Sequence, residues 1–240
     1  MKIAGFRKTS LIDYPGYIAA VVFTQGCNFR CPYCHNPELI EPVENMSAAD
    51  SDSVSFLDPE YLFDLLRERD NLLDGLVITG GEPLLQPDII SFTKKIKSLG
   101  MKVKLDTNGT VFSVLKQLVE ADLVDYVAMD IKTTFADYEN LVGLFKKEEI
   151  EGIRQSVSLL VAGKTDYEFR TTVVPGIHTV EDIKKIAQHI SGAKKYVLQN
   201  FRPEETLDPS FQEKTRFADE VMDRFKEVAK KSLPKVEIRY

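Results

Sequence analysis

A chain of 240 residues has room for one large domain or two small ones, and 43% hydrophobic with 28% charged residues is ordinary globular composition. The net charge of −6 argues against a general nucleic-acid binder, which needs a basic footprint. The longest apolar stretch near the start, Ile18 to Phe23, is too short to span a bilayer, and no basic leader with a cleavage site opens the sequence, so a cytoplasmic protein without membrane association is expected.

In chain order, residues 1–16 read as an N-terminal extension across a sheet edge or barrel mouth. Strand-like runs follow at Ile18–Thr24, Gly75–Thr79, Lys102–Asp106, Val124–Asp130, Glu168–Val174 and Tyr196–Asn200. Most are short, apolar and β-branched, as in strands buried on both faces. Asp58-Pro59 places a capping side chain before a proline at the first helical position, ahead of Tyr61, Leu62, Leu65 and Leu66. Pro87-Asp88 opens a second helix, carrying Ile89, Ile90, Phe92 and Ile96 and ending at Gly100. Thr179 starts another, with Glu181 and Asp182 in its first turn, and the last spans about Phe211–Lys231, with Phe217, Val221, Phe225 and Val228 at helical spacing. Glu41–Ser55 is polar and reads as a surface loop; no linker divides the chain, so a single domain over residues 1–240 is expected.

Alternating strands and helices imply a parallel sheet with right-handed crossovers. Roughly six such units suggest an α/β fold of the partial parallel β/α barrel type, with a doubly wound sheet as the alternative. Polar and glycine-rich residues gather at the C-terminal ends of the strands: Thr24-Gln25-Gly26-Cys27, Thr79-Gly80-Gly81-Glu82-Pro83, Asp106-Thr107-Asn108-Gly109, Asp130-Ile131-Lys132, Pro175-Gly176 after a strand holding Arg170, and Gln199-Asn200-Phe201-Arg202. In parallel α/β folds those ends share one face, where active sites lie.

The three cysteines, Cys27, Cys31 and Cys34, sit within Gly26-Cys27-Asn28-Phe29-Arg30-Cys31-Pro32-Tyr33-Cys34-His35-Asn36. An odd, clustered set argues against a disulfide framework and for metal or redox chemistry. The spacing is C-x3-C-x2-C, and Pro32 disfavours a continuous helix through it. Iron–sulfur cubes usually take four thiolates, so three would leave one iron open for a ligand. Structural zinc on Cys27, Cys31, Cys34 and His35 is the competing reading, made awkward by the adjacency of Cys34 and His35.

This loop, with Tyr33 before its last cysteine, resembles the signature of the radical S-adenosylmethionine (SAM) superfamily. The resemblance implies a 4Fe-4S cluster on the three cysteines whose open iron chelates SAM, with Tyr33, His35 and Asn36 beside the cofactor. Gly80-Gly81-Glu82-Pro83 resembles the family's G-G-E-P element, which contacts the methionyl amino group. Paired glycines allow close backbone approach, and a carboxylate or carbonyl there can accept from an ammonium. Asp106-Thr107-Asn108-Gly109 and Asp130-Ile131-Lys132 match the D-T-N-G and D-x-K elements of glycyl-radical activating enzymes. They imply a SAM site lined by Asp106 and Asn108, with Lys132 and Arg170 near the cofactor carboxylate. They also imply a monovalent cation on Asp106, Thr107, Asp130 and the Ala128 carbonyl.

Within the superfamily the chain is most similar to the activating proteins of anaerobic ribonucleoside-triphosphate reductase, through Lys8–Gly16, His35–Leu39, Leu105–Gly109, Asp125–Asp130, Phe169–Gly176 and Tyr196–Pro203. Pyruvate formate-lyase activating enzyme is the near neighbour. The resemblance implies a glycyl-radical enzyme as partner, met near Asp13. The sequence departs from the pattern in two places: no basic residue stands in Tyr17-Ile18-Ala19-Ala20, and Asn200, Phe201 and Arg202 stand where the pyruvate formate-lyase activator has a histidine. With no further cysteines there are no thiolates for auxiliary clusters, so an external donor such as flavodoxin or ferredoxin is expected. A radical enzyme acting on a small molecule, and a non-catalytic metal-binding redox sensor, are the readings from other classes.

Overall fold

The computed structural model describes residues 1–41, 56–69, 71–143 and 146–240. Beyond its first residue, the polar stretch Glu41–Ser55 lies outside the described residues. The chain forms two compact units: Met1–Asn28 with Glu38–Thr107 and Ser113–Val127, and Phe29–Pro37 with Asn108–Phe112 and Ala128–Tyr240.

In the first unit the strands lie in chain order, β1 (Ile3–Ser10), β2 (Ala19–Thr24), β3 (Gly75–Gly80) and β4 (Lys102–Thr107). The N-terminal extension is therefore a strand, antiparallel to β2 with Arg7 opposite Val21 and Ser10 opposite Ala19. Its alternation is weak because Arg7, Lys8 and Thr9 are exposed at the sheet edge, which hid it from a periodicity reading. β2, β3 and β4 are parallel, with Val21 beside Val77 and Val77 beside Lys104. Parallel neighbours need long crossovers, supplied here by α1 (Pro59–Arg67) and α2 (Ile89–Ser98). Asp58 caps α1 by accepting from the Glu60 N–H at 2.9 Å, and Pro59 occupies the first helical position, as the sequence indicates. Leu62, Phe63 and Leu66 of α1 and Phe92 and Ile96 of α2 are buried. A further helix, α3 (Phe112–Glu120), buries Leu115, Leu118 and Val119.

Strand β5 (Tyr126–Asp130) begins beside β4, where the Asp125 N–H donates to Val103 O at 2.8 Å and the Asp125 carboxylate accepts from the Val103 N–H at 2.7 Å. That side-chain bond replaces ladder pairing, so β5 starts two residues later than the apolar run.

The second unit carries β6 (Asp166–Val173), β7 (Tyr196–Asn200) and β8 (Val236–Arg239), parallel and in chain order. β8 has no apolar run to announce it, since Glu237 and Arg239 alternate with Val236 and Ile238. Charge reinforces its ladder with β7: both terminal Arg239 guanidinium nitrogens donate to the Glu168 carboxylate, at 2.7 and 2.6 Å, and Lys195 lies 3.1 Å from both Glu168 and Glu237. The helices are α4 (Tyr138–Val142), α5 (Lys147–Val161), α6 (Val180–His189) and α7 (Asp219–Lys230). Thr179 and Asp182 cap α6 reciprocally. α7 begins at Asp219 instead of near Phe211 and buries Met222, Phe225 and Ala229; Phe217 precedes it and meets Phe225 edge-on at 5.0 Å. α5 escapes a hydrophobic-pattern reading because its buried face includes Gly152 and Ser156. Gly152 is required: a Cβ there would stand 2.2 Å from Thr110 O. Among the described residues no helix is long and apolar enough to cross a membrane.

Candidate active site

In the first unit the ends of β2, β3 and β4 carry the predicted residues. The Gly81 N–H donates to Thr24 O at 2.9 Å, Glu82 N–H to Gly26 O at 2.8 Å, Gly26 N–H to Leu39 O at 2.8 Å and Cys27 N–H to Ile40 O at 2.9 Å. The backbone of the first cysteine is thus tied on both sides. Glycine is needed twice. Gly80 has φ +116°, and a Cβ on Gly81 would lie 2.2 Å from Gly26 O. Pro83 opens a short 3-10 turn, Pro83–Leu85, capped by Glu82. Glu82 is buried, and its Oε1 accepts from the Leu84 N–H at 3.0 Å and Thr107 Oγ1 at 2.7 Å, so its carboxylate braces two strand ends. Two buried amides support the base of the loop: Gln86 Nε2 donates to Gln25 O at 2.8 Å, and Gln25 Nε2 to Glu38 O and Glu41 O at 2.9 and 2.8 Å. Asp106 is paired with the ammonium of buried Lys104.

In the second unit the Cys34 N–H donates to Cys31 O at 3.0 Å, making a tight turn through Pro32 and Tyr33. Leu207 N–H to Cys34 O and Asp208 N–H to Pro32 O anchor that turn at 3.1 and 2.9 Å. His35 is exposed, stacks on Phe201 at 5.5 Å between ring centroids and has Nε2 2.9 Å from Arg202 O. Asn36 is half-buried beside it. Tyr33 is buried, and its hydroxyl has no hydrogen-bond partner among the described residues. Asn108 is buried, its Oδ1 accepting from Thr110 N–H and Oγ1 at 3.0 and 2.7 Å, which turns the chain after β4.

The Asp130-Ile131-Lys132 turn is the most heavily braced part of this unit. Arg170 Nε donates to Asp130 Oδ1 at 2.8 Å and Lys132 Nζ to Oδ2 at 2.9 Å. Burial pulls the Asp130 carboxyl upward, but Arg170 and Lys132 more than offset it and hold it well below the usual carboxylate range. Burial likewise opposes the Lys132 ammonium, and Asp130 beside it raises its pKa above the ordinary lysine value. The Lys132 peptide is held at both ends: its N–H donates to Tyr138 Oη at 2.9 Å, and its carbonyl lies 2.9 Å from His178 Nε2. His178 Nδ1 accepts from the Val174 N–H at 3.0 Å, so Nε2 carries the proton and donates to Lys132 O. Thr171 Oγ1 donates to Ile131 O at 2.7 Å and accepts from Tyr196 Oη at 2.8 Å. Ala128 is buried in β5. Sequence reasoning missed Lys104, Tyr138, Thr171 and His178; an ionisable residue two positions before Asp106 in an apolar run was the available signal for the first.

The description of the radical SAM superfamily matches residues 21–190. The chain belongs to the radical SAM superfamily. MJ1227 of Methanocaldococcus jannaschii, assigned to the glycyl-radical enzyme activating enzymes, is 35% identical over 241 residues, covering 99% of this chain and 95% of its own. The pyruvate formate-lyase-activating enzyme of Clostridium pasteurianum is 30% identical over 213 residues, covering 81% of this chain and 85% of its own. At such identity over most of both chains, the radical SAM protein described here is an enzyme of the glycyl-radical enzyme activating family. Streptococcus suis SuiB bound to SAM superposes with a TM-score of 0.67 at 14% identity, over 92% of this chain and 50% of that one. Native anSMEcpe with bound AdoMet gives 0.58 at 20% identity, over 90% of this chain and 62% of that one. This chain spans about half of SuiB, and with both it shares the fold.

The family implies a 4Fe-4S cluster and SAM, and the residues present fit them. None of the three cysteines is in a disulfide, and three thiols are a soft donor set suited to iron–sulfur ligation. Burial pushes the Cys31 thiol up to about 11 against the pull of Lys132, so a neutral thiol rests there until a metal displaces its proton. The unpartnered Tyr33 hydroxyl two residues away is a buried polar atom that a ligand can satisfy. Zinc on three thiols and His35 fits less well, because the His35 ring is committed to Phe201 and Arg202. Among the described residues, no three His, Cys, Asp or Glu side chains gather as they would around one metal ion. The two carboxylates that the resemblance assigns to a monovalent cation are already met by side-chain cations: Asp106 is paired with Lys104, and Asp130 accepts from Arg170 on one oxygen and Lys132 on the other.

Proposed function

We propose that this enzyme installs a glycyl radical on a partner protein, and that anaerobic ribonucleoside-triphosphate reductase is that partner. Cys27, Cys31 and Cys34 would hold a 4Fe-4S cluster that, with SAM bound, would supply the one-electron radical chemistry needed to take a hydrogen from a glycine Cα. The chain's own residues bind and orient. Gly80 and Gly81 let the backbone lie close to a ligand, and Glu82 keeps their turn rigid. Lys132 and Arg170 with Asp130 carry a net single positive charge, suited to the SAM carboxylate.

The observation that carries this reading is the braced Asp130-Ile131-Lys132 turn with Arg170, a half-buried cationic cradle at a strand end in a chain aligned from end to end with an activating enzyme. Pyruvate formate-lyase is the second reading for the partner, favoured by the relatives of that name. The electron comes from an external donor of the flavodoxin or ferredoxin kind, because the three loop cysteines are the chain's entire complement. Cysteines outside any disulfide suit a reducing compartment, the cytoplasm.

The partner would meet the turn after β1. Ser10 Oγ donates to Asp13 Oδ2 at 2.6 Å and accepts from the Ile12 and Asp13 N–H groups, both at 3.2 Å, while Arg7 donates to Asp13 at 3.0 Å. This rigid turn presents Leu11 and Ile12, 73% and 84% exposed, as an apolar tip. The test incubates reconstituted enzyme, reductant and SAM with each candidate partner and looks for the glycyl-radical doublet by electron paramagnetic resonance. A signal on the reductase alone supports the first reading, one on pyruvate formate-lyase alone supports the second, and 5′-deoxyadenosine without a protein radical on either refutes both.

A further inference from the structure

Lys104 and Asp106 are two residues apart on β4, so their side chains leave the same face of the sheet. The register sets Val77 beside Lys104 and Val21 beside Val77. Val21 and Val77 join Tyr14 and Ala19 in an apolar cluster, with Phe23 and Tyr126 packed against it. A valine or leucine at position 104 would continue that face. Instead the chain places an ammonium there, with its side chain 3% exposed. A lysine so deprived of water has to be paired, and it is paired with Asp106. Packing alone gives no reason for the charge.

The charge has a reason if Asp106 needs a cation. In the second unit Asp130 is likewise met, by Arg170 on one oxygen and Lys132 on the other. Each carboxylate that the family resemblance assigns to a bound monovalent ion therefore faces at least one positive side chain. Side-chain cations already supply the charge that a bound ion would bring to each.

We propose that the Lys104 ammonium is the built-in cation of Asp106, one of the carboxylates to which the family resemblance assigns a monovalent metal ion, and that it orients Asp106 for SAM binding. It is a positioning residue, acting through Asp106. The inference rests on the reading of Asp106 as part of the SAM site. A tethered ammonium brings three donors and no coordination shell to complete, so it holds a carboxylate by a charge-assisted bond at any salt composition.

The test titrates cluster-loaded enzyme with SAM in choline, sodium and potassium chloride at equal ionic strength, and follows thallium(I), a potassium surrogate, by its nuclear magnetic resonance on the same protein. Wild type is expected to bind SAM within about twofold in all three salts and to bind no thallium saturably. Lys104→Ala, which leaves both the carboxylate and the space, is expected to bind SAM about tenfold more weakly in choline, to recover in potassium and to bind thallium saturably. Lys104→Met, which fills the space without charge, stays weak in every salt. Saturable thallium binding by wild type, a potassium-dependent wild-type affinity, or a Lys104→Ala affinity equal to wild type in choline would overturn the proposal. If the variants do not fold, the wild-type salt series decides it. If SAM binds in no salt, the SAM-site reading fails, and wild-type thallium binding still decides whether an ion occupies the site.

Discussion

Replacing Gly81 by alanine tests how the cysteine loop is seated. The added Cβ would stand 2.2 Å from Gly26 O, 2.6 Å from Gly26 C and 2.9 Å from Leu39 O. All three atoms are backbone, so no side chain can swing away. Ordinary van der Waals contact for a Cβ begins near 3.4 Å, so one chain segment has to retreat by more than 1 Å. The segment that retreats carries the 2.8 Å bonds from Glu82 N–H to Gly26 O and from Gly26 N–H to Leu39 O, and Cys27 follows it directly. Overpacking costs roughly 1–3 kcal/mol and each lost hydrogen bond about 1 kcal/mol, so a loss of about 2–4 kcal/mol is expected. Urea unfolding of the apo protein gives that number, and iron and sulfide content after reconstitution gives the functional consequence, a clear fall in cluster occupancy. Gly100→Ala is the control: a Cβ there meets nothing within 4 Å, and its φ of +77° leaves only backbone strain. A Gly81→Ala protein with wild-type stability and full iron content would refute the seating of Cys27 against the strand-β3 turn.

Glu168, held by Arg239 and Lys195, has its carboxyl lowered to about 2; burial opposes this and the two cations outweigh it. Its folded pKa lies below the unfolded value of 4.5, so its contribution is complete above pH 4.5 and is lost as pH falls toward 2. That contribution is at most about 3 kcal/mol, because Arg239 is partly open to solvent; Glu168→Gln should flatten the urea-stability profile across this range. Burial holds His178 below its usual 6.5, so its share of stability is intact above pH 6.5 and begins to fail as pH falls below it. His178→Leu strips partners from the Val174 N–H and the Lys132 carbonyl, and is expected to destabilise by about 2–4 kcal/mol and to weaken SAM binding severalfold in an equilibrium titration. Leu11→Glu with Ile12→Glu should leave partner-free SAM cleavage near wild type while the glycyl-radical yield on the partner falls at least tenfold; an unchanged yield would remove the β1 turn from the docking surface.

Much of the site could be read because its chemistry is local in sequence. The C-x3-C-x2-C loop, Gly80-Gly81 and the Asp130-Lys132 pair each occupy a few consecutive residues after an apolar strand, and the structure puts each at such an end. Helix starts at Asp58 and Thr179 were legible for the same reason, since a cap and its partner lie within three residues. What could not be read is carried by pairs distant in the chain. Tyr138 and His178 find Lys132 from separate elements, and Glu168 holds Arg239 across 71 residues. β8 pairs with β7 and adds that ion pair, where a longer apolar stripe would have announced it in the sequence. Lys104 was overlooked because a lysine in a short strand reads as solvated until the neighbouring strands' register is known.

The central claim is that Cys27, Cys31 and Cys34 hold a catalytic cluster that binds SAM. Anaerobic reconstitution with iron and sulfide, metal analysis, and electron paramagnetic resonance of the reduced protein with and without SAM test it together. The expected result is about four irons per chain and a cluster signal that changes shape on SAM addition, both lost when any one of the three cysteines becomes alanine. One zinc and no iron per chain, or a cluster signal indifferent to SAM, would contradict it.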